Sequence, residues 1–194
     1  KGFMRPEDLC VVDLAGKLLA GPRAYGADPF CLHQADTDDD GEMEWVGLRW
    51  VNGTDSVAGV AGFVLDGDDF HVLGASTERN EAGSVTGGLI VGDQQRCDMR
   101  VEDLNGDGVT DVAIAGESAS GAQTLAIFYW GAAGGYELLG SFSGVAGVTL
   151  DDENRDGIVD ITVQHCVSPG VALNEVSHWQ GAGYEFDRSY YAAA

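Results

Sequence analysis

Oxygen-bearing side chains recur at one fixed spacing in three places: Asp36, Asp38, Asp40 and Glu44; Asp103, Asn105, Asp107 and Asp111; and Asp152, Asn154, Asp156 and Asp160. Each set fits the nine-residue template D-x-[DN]-x-D-G-x-x-[DE], with the sixth place held by Gly41, Gly108 and Gly157. Short carboxylate or amide side chains at positions 1, 3 and 5 aim oxygens at one point. Position 7 (Glu42, Val109, Ile158) adds a backbone carbonyl, and the glycine permits the sharp turn. Hard oxygen donors in that number favour Ca²⁺. One such loop alone also reads as a solvated acidic turn, but three aligned copies argue for about three bound ions.

A helix–loop–helix calcium site is excluded. It needs a bidentate Glu at position 12, where this chain has Gly47, Ile114 and Val163. Position 9 carries the closing carboxylate instead, as Glu44, Asp111 or Asp160. The residues that follow, Val112-Ala-Ile-Ala and Ile161-Thr-Val-Gln, are β-branched and alternating, so each loop is expected to join two strands. Ten carboxylates fall at positions 1, 3, 5 and 9 of the three loops, and they repel one another without a cation. Three Ca²⁺ would bring the formal charge from -22 to -16, so binding is expected to stabilise the fold by mass action.

The likeness extends beyond the loops. A large aromatic lies 27 residues after each first Asp, at Phe63, Trp130 and Trp179, and is followed by a glycine-containing turn and a second aromatic at Phe70, Tyr136 and Tyr184. Those segments read as hairpins. Each unit is therefore strand, acidic loop, strand, connection, strand, turn, strand. In the second unit the strands are expected at 98–102, 112–115, 125–130 and 136–142. Four short antiparallel strands per unit is the pattern of a propeller blade.

The run Asp103-Leu-Asn-Gly-Asp-Gly-Val-Thr-Asp-Val-Ala-Ile-Ala-Gly116 in particular resembles the FG-GAP or VCBS-type repeat of integrin-like β-propellers and of many secreted bacterial proteins. The resemblance implies an all-β, calcium-stabilised, propeller-like array of four-stranded antiparallel blades with the calcium loops between strands. It implies adhesion, lectin-like binding or an accessory role in a secreted protein. The chain divides into a partial blade at 1–29, repeats at 30–76, 98–143 and 144–191, and an insertion at 77–97, giving three and a half to four repeats in a single domain. A ring must close to hide its sheet edges. Strands from the insertion, a larger array, or a second chain would each do so, and the sequence leaves the three open.

Composition bounds the rest. The 194 residues include 10 Lys+Arg against 32 Asp+Glu, which argues against nucleic acid or an anionic membrane surface as partner. Glycine, at 29 residues, is about twice its usual share and speaks for many turns. The best apolar run, 125–135, is too short to span a bilayer. The opening Lys1-Gly-Phe-Met-Arg-Pro6 lacks the layout of a secretory signal, which leaves a processed or a cytosolic chain.

Cys10, Cys31, Cys97 and Cys166 include no CxxC pair and allow two disulfides. Separation favours Cys10 with Cys31 and so Cys97 with Cys166, without excluding the other pairings. Loops of this kind in extracellular modules bind calcium at roughly 10⁻⁴–10⁻³ M, a range suited to the cell exterior. No catalytic motif stands out: GxSxG, P-loop and HExxH are all missing, and His33, His71, His165 and His178 read as strand or surface filler.

The expected function is a secreted, non-catalytic binding or adhesion module with a glycan or extracellular protein as ligand, and Trp45 and Trp50 as first contacts to test. The alternative is a structural subunit of an extracellular, self-associating assembly.

Overall fold

The segments leaving the acidic loops form strands, as the β-branched alternation after the second and third loops requires. A computed structural model describes residues 30–52, 58–73, 99–117, 123–169 and 171–193. Those residues form twelve strands and no helix. Sheet 1 holds β1 (Phe30–Ala35), β2 (Glu44–Asn52), β3 (Ala58–Asp66) and β4 (Asp69–Leu73). Sheet 2 holds β5 (Met99–Glu102), β6 (Asp111–Glu117), β7 (Gln123–Gly131) and β8 (Gly135–Gly144). Sheet 3 holds β9 (Gly147–Asp151), β10 (Asp160–Ser168), β11 (Val171–Trp179) and β12 (Tyr184–Ala193).

Every sheet is an antiparallel meander in chain order, and each acidic loop bridges its first and second strands. The four strands expected in the second unit are all present, and the last three run one or two residues further at each end. The partial blade at 1–29 and the insertion at 77–97 lie outside the described residues. Closure into a propeller is not seen among the described residues. No helix there is long and apolar enough to cross a membrane.

Sheet 2 is the middle layer. On one face Val112, Ile114, Ala126 and Phe128 pack with Val46, Leu48, Val64 and Leu73 of sheet 1. On the other face Ala113, Leu125 and Ile127 pack with Ile161 and Val163 of sheet 3. A strand buried on both faces reads as a continuous apolar run, and β7 carries one, Leu125-Ala-Ile-Phe. The far side of sheet 1 buries Phe63 and Leu65, with Leu32 and Trp45 packed against them.

Cysteine corrects one expectation. Cys31 is disulfide-bonded, with its partner outside the described residues, whereas Cys166 on β10 is an exposed free thiol. A Cys97–Cys166 bridge is therefore ruled out.

Candidate metal centres

Each loop is shaped by its own carboxylates. The first Asp accepts the N–H of the sixth-position glycine, at 3.0 Å in loop 1 (Asp36–Gly41), 2.9 Å in loop 2 (Asp103–Gly108) and 3.0 Å in loop 3 (Asp152–Gly157). The fifth-position Asp accepts the N–H of residue 7: Glu42, Val109 and Ile158 donate to Asp40, Asp107 and Asp156 at 2.7–2.8 Å. Position 3 takes part too, since Asp38, Asn105 and Asn154 accept the N–H of residue 5 at 3.2, 2.9 and 2.8 Å. These bonds curl the backbone around the side-chain oxygens. The curl needs a left-handed residue at position 6, where φ is +88° at Gly41, +90° at Gly108 and +88° at Gly157.

The ninth residue closes each loop through the backbone N–H of position 2. Glu44 accepts from Thr37 at 2.6 Å, Asp111 from Leu104 at 3.0 Å and Asp160 from Glu153 at 3.0 Å. These carboxylates start a core strand and are nearly sealed from solvent, at 1%, 1% and 2% exposure. Only one oxygen of each is used by that bond. In loops 1 and 2 the other oxygen, Glu44 Oε1 or Asp111 Oδ1, is buried and finds no hydrogen-bond partner among the described residues, and Asp36 Oδ1 is in the same state.

Burial, with repulsion from Asp107 and Asp103 added, pushes the Asp111 carboxyl up to about 7 against the counter-pull of the Leu104 N–H. Burial also raises Glu44 and Asp38 above the ordinary carboxyl range. Asp36, Asp38 and Asp40 bring three carboxylate oxygens within 4.8 Å of one another. Unpartnered buried carboxylate oxygens are costly, and the Asp36–Asp38–Asp40 cluster is one that could hold a metal ion. Asn105 and Asn154 contribute an amide oxygen at the third position of their loops, with their Nδ2 donating to Asp107 and Asp156 at 3.1 and 3.0 Å. Among the described residues only Asp36, Asp38 and Asp40 cluster in that way; loops 2 and 3 share the same hydrogen-bonded curl, and the N–H groups of Glu42, Val109 and Ile158 are held by the position 5 carboxylates.

Loop 3 differs, through a residue that the sequence reading passed over. Asp160 Oδ1, the counterpart of the unpartnered oxygens, is bound by His178 Nδ1, while His178 Nε2 lies 3.2 Å from Asp187. The bond to Asp160 holds the His178 imidazole above its ordinary pKa. His178 is therefore no filler. A signal for it existed. The register that pairs Trp45 with Leu65, Val112 with Phe128 and Ile161 with Ser177 sets Asp66, Tyr129 and His178 across from the three ninth residues. A bulge at the β11–β12 pairing then turns Asp187 toward the ring.

Trp45, Trp130 and Trp179 are packed. Trp45 lies against Phe63 and Leu65. Trp130 sits edge-on to Tyr136, with centroids 4.9 Å apart, and Trp179 to Tyr184 at 5.4 Å. The side chain of Trp50 lies outside the described residues.

No protein-family model matches the chain, and no curated protein matches it. Among solved structures it is similar to a Xanthomonas type IV secretion system related protein, with 12% identity and a TM-score of 0.30 over 81% of this chain and 98% of that one. A superposition that loose defines no shared fold or role.

Proposed function

We propose that this protein is a calcium-braced, non-catalytic binding or adhesion module of the extracellular space, an FG-GAP-like array whose sheets are arranged as propeller blades. One observation carries the reading. The same loop recurs at the head of all three sheets, and in two of them a sealed carboxylate oxygen has no hydrogen-bond partner among the described residues. Asp36, Asp38, Asp40, Glu44 and the Glu42 carbonyl would hold the first ion. Asp103, Asn105, Asp107, Asp111 and the Val109 carbonyl would hold the second. Asp152, Asn154, Asp156, Asp160 and the Ile158 carbonyl would hold the third.

When bound, the ion would offset two of the three or four carboxylate charges at positions 1, 3, 5 and 9 of each loop and would tie the first strand of each sheet to the second. The chain's own contribution is the curl of backbone N–H groups that holds those oxygens in place. The Cys31 disulfide supports an oxidising compartment, where millimolar calcium fills weak sites. Ligand contacts, to a glycan or an extracellular protein, fall to inter-strand loops on this rigid frame. Trp50 is the tryptophan left to test, since Trp45 is committed to packing.

Calorimetry in calcium and in excess EGTA tests the bracing. Chelation lowers the melting temperature by several degrees, the shift expected when a ligand at many times its Kd is removed. Asp107→Ala, which deletes one ligand and two loop hydrogen bonds, gives a smaller fall in calcium. A melt indifferent to complete chelation would refute the proposal.

A further inference from the structure

The second residue of each loop links it to different surroundings. In loop 1 the Thr37 hydroxyl lies 2.5 Å from the Tyr136 hydroxyl of β8 and donates to Glu44 Oε2 at 2.9 Å. A carboxylate only accepts, so threonine gives its proton to Glu44 and the tyrosine of sheet 2 donates to threonine. One sheet further on, Tyr184 of β12 donates to the Leu104 carbonyl at 3.2 Å, and the Leu104 N–H donates to Asp111. The two tyrosines hold matching places, each edge-on to the tryptophan of its own sheet. Each also packs against the core between its sheet and the preceding one.

We propose that Tyr136 and Tyr184 are positioning residues for the metal loops of the preceding sheet, so that cation binding in loops 1 and 2 and the docking of one sheet on the next form a single coupled equilibrium. The inference rests on the calcium reading above and assigns it a mechanism of cooperation. In both joints the hydroxyl reaches the residue that fixes one oxygen of the ninth carboxylate, and the other oxygen is left for the ion. Orienting that carboxylate beforehand lowers the ordering cost of binding. Burial raises the pKa of both tyrosines, which keeps the hydroxyls protonated as donors.

The outer members of the series supply an internal contrast. Loop 3 has Glu153 in the second place, bound by Thr162 at 3.1 Å and Arg188 at 2.7 Å of its own sheet. Sheet 1 has Phe70 where the tyrosines stand, and so no hydroxyl to offer.

The experiment is isothermal titration of the full chain with CaCl₂, paired with melts in calcium and in EGTA. Tyr136→Phe and Tyr184→Phe each weaken one class of site by roughly three- to tenfold, the worth of one hydrogen bond, and shrink the calcium-dependent rise in melting temperature. Tyr190→Phe, on an exposed residue of β12 paired with Asn174, leaves every site unchanged. Should Tyr136→Phe fold poorly, Thr37→Ser keeps the relay and retains affinity, whereas Thr37→Val breaks it and weakens one site. Equal loss of melting temperature in calcium and EGTA, with affinities unmoved, would mean that the tyrosines only pack, and would overturn this inference alone. Absence of calcium uptake by the unmodified protein overturns the calcium reading and this inference with it.

Discussion

The three ninth-position carboxylates have the same backbone bond and three different environments. Glu44 and Asp111 each keep a bare buried oxygen, while Asp160 has His178. The difference sets the pH response of the metal-free protein. Asp111 titrates at about 7 in the fold because burial opposes its charge, with Asp107 and Asp103 adding repulsion, against 3.8 for an ordinary carboxyl. Between those values the folded chain holds a proton that the unfolded chain has released, so stability from this group is present at low pH and lost as pH rises through 7. His178, raised by its bond to Asp160, acts in the same direction. In EGTA the protein is therefore expected to melt higher near pH 5.5 than near pH 8, and calcium should narrow the gap, because proton and cation compete for the same oxygens. Melting curves across that range check it, and Asp111→Asn should flatten the profile.

At the level of elements, the close approach of sheets 1 and 2 depends on a missing side chain. A Cβ on Gly62 of β3 would stand 2.2 Å from Ile114 Cδ1 of β6 and 3.1 Å from Leu73 Cβ. Gly62→Ala thus overpacks the joint at a cost of about 1–3 kcal/mol, read as a lower urea midpoint. Ile114→Val removes the clashing methyl. The double variant should regain part of the loss, although Ile114→Val alone costs about 0.5–1.5 kcal/mol. Independent additive losses would show that the contact is not what limits the approach. The acidic template, the hairpin aromatics and the β-branched exits made all four strands of the second unit legible. Strand ends were not, because ladder pairing carries them further than propensity indicates.

For the whole molecule, three meanders stacked in chain order make a quasi-linear array in which sheet 2 carries both interfaces. The outer strands expose large apolar side chains, including Phe186 at 63% and Tyr191 at 72% on β12. That feature favours the second reading, a self-associating structural subunit, over a solitary module. Size-exclusion chromatography in calcium and in EGTA separates the two. A monomer in both buffers supports the binding module, whereas large oligomers or fibres support the subunit. A charge of -22 opposes association at low salt, so the comparison belongs at physiological ionic strength.

The turn at each loop was legible in the sequence because the first Asp and the glycine that it accepts from lie five residues apart, so local spacing suffices to bring them together. Meander topology followed, since adjacent strands joined by short turns pair with each other. Tertiary structure alone decided which carboxylate oxygens stay bare, that His178 fills one such place, and that Tyr136 and Tyr184 reach across to another sheet. His178 meets Asp160 through the pairing of neighbouring strands, 18 residues apart, whereas the tyrosine partners stand 80 and 99 residues apart and meet only after the sheets have stacked.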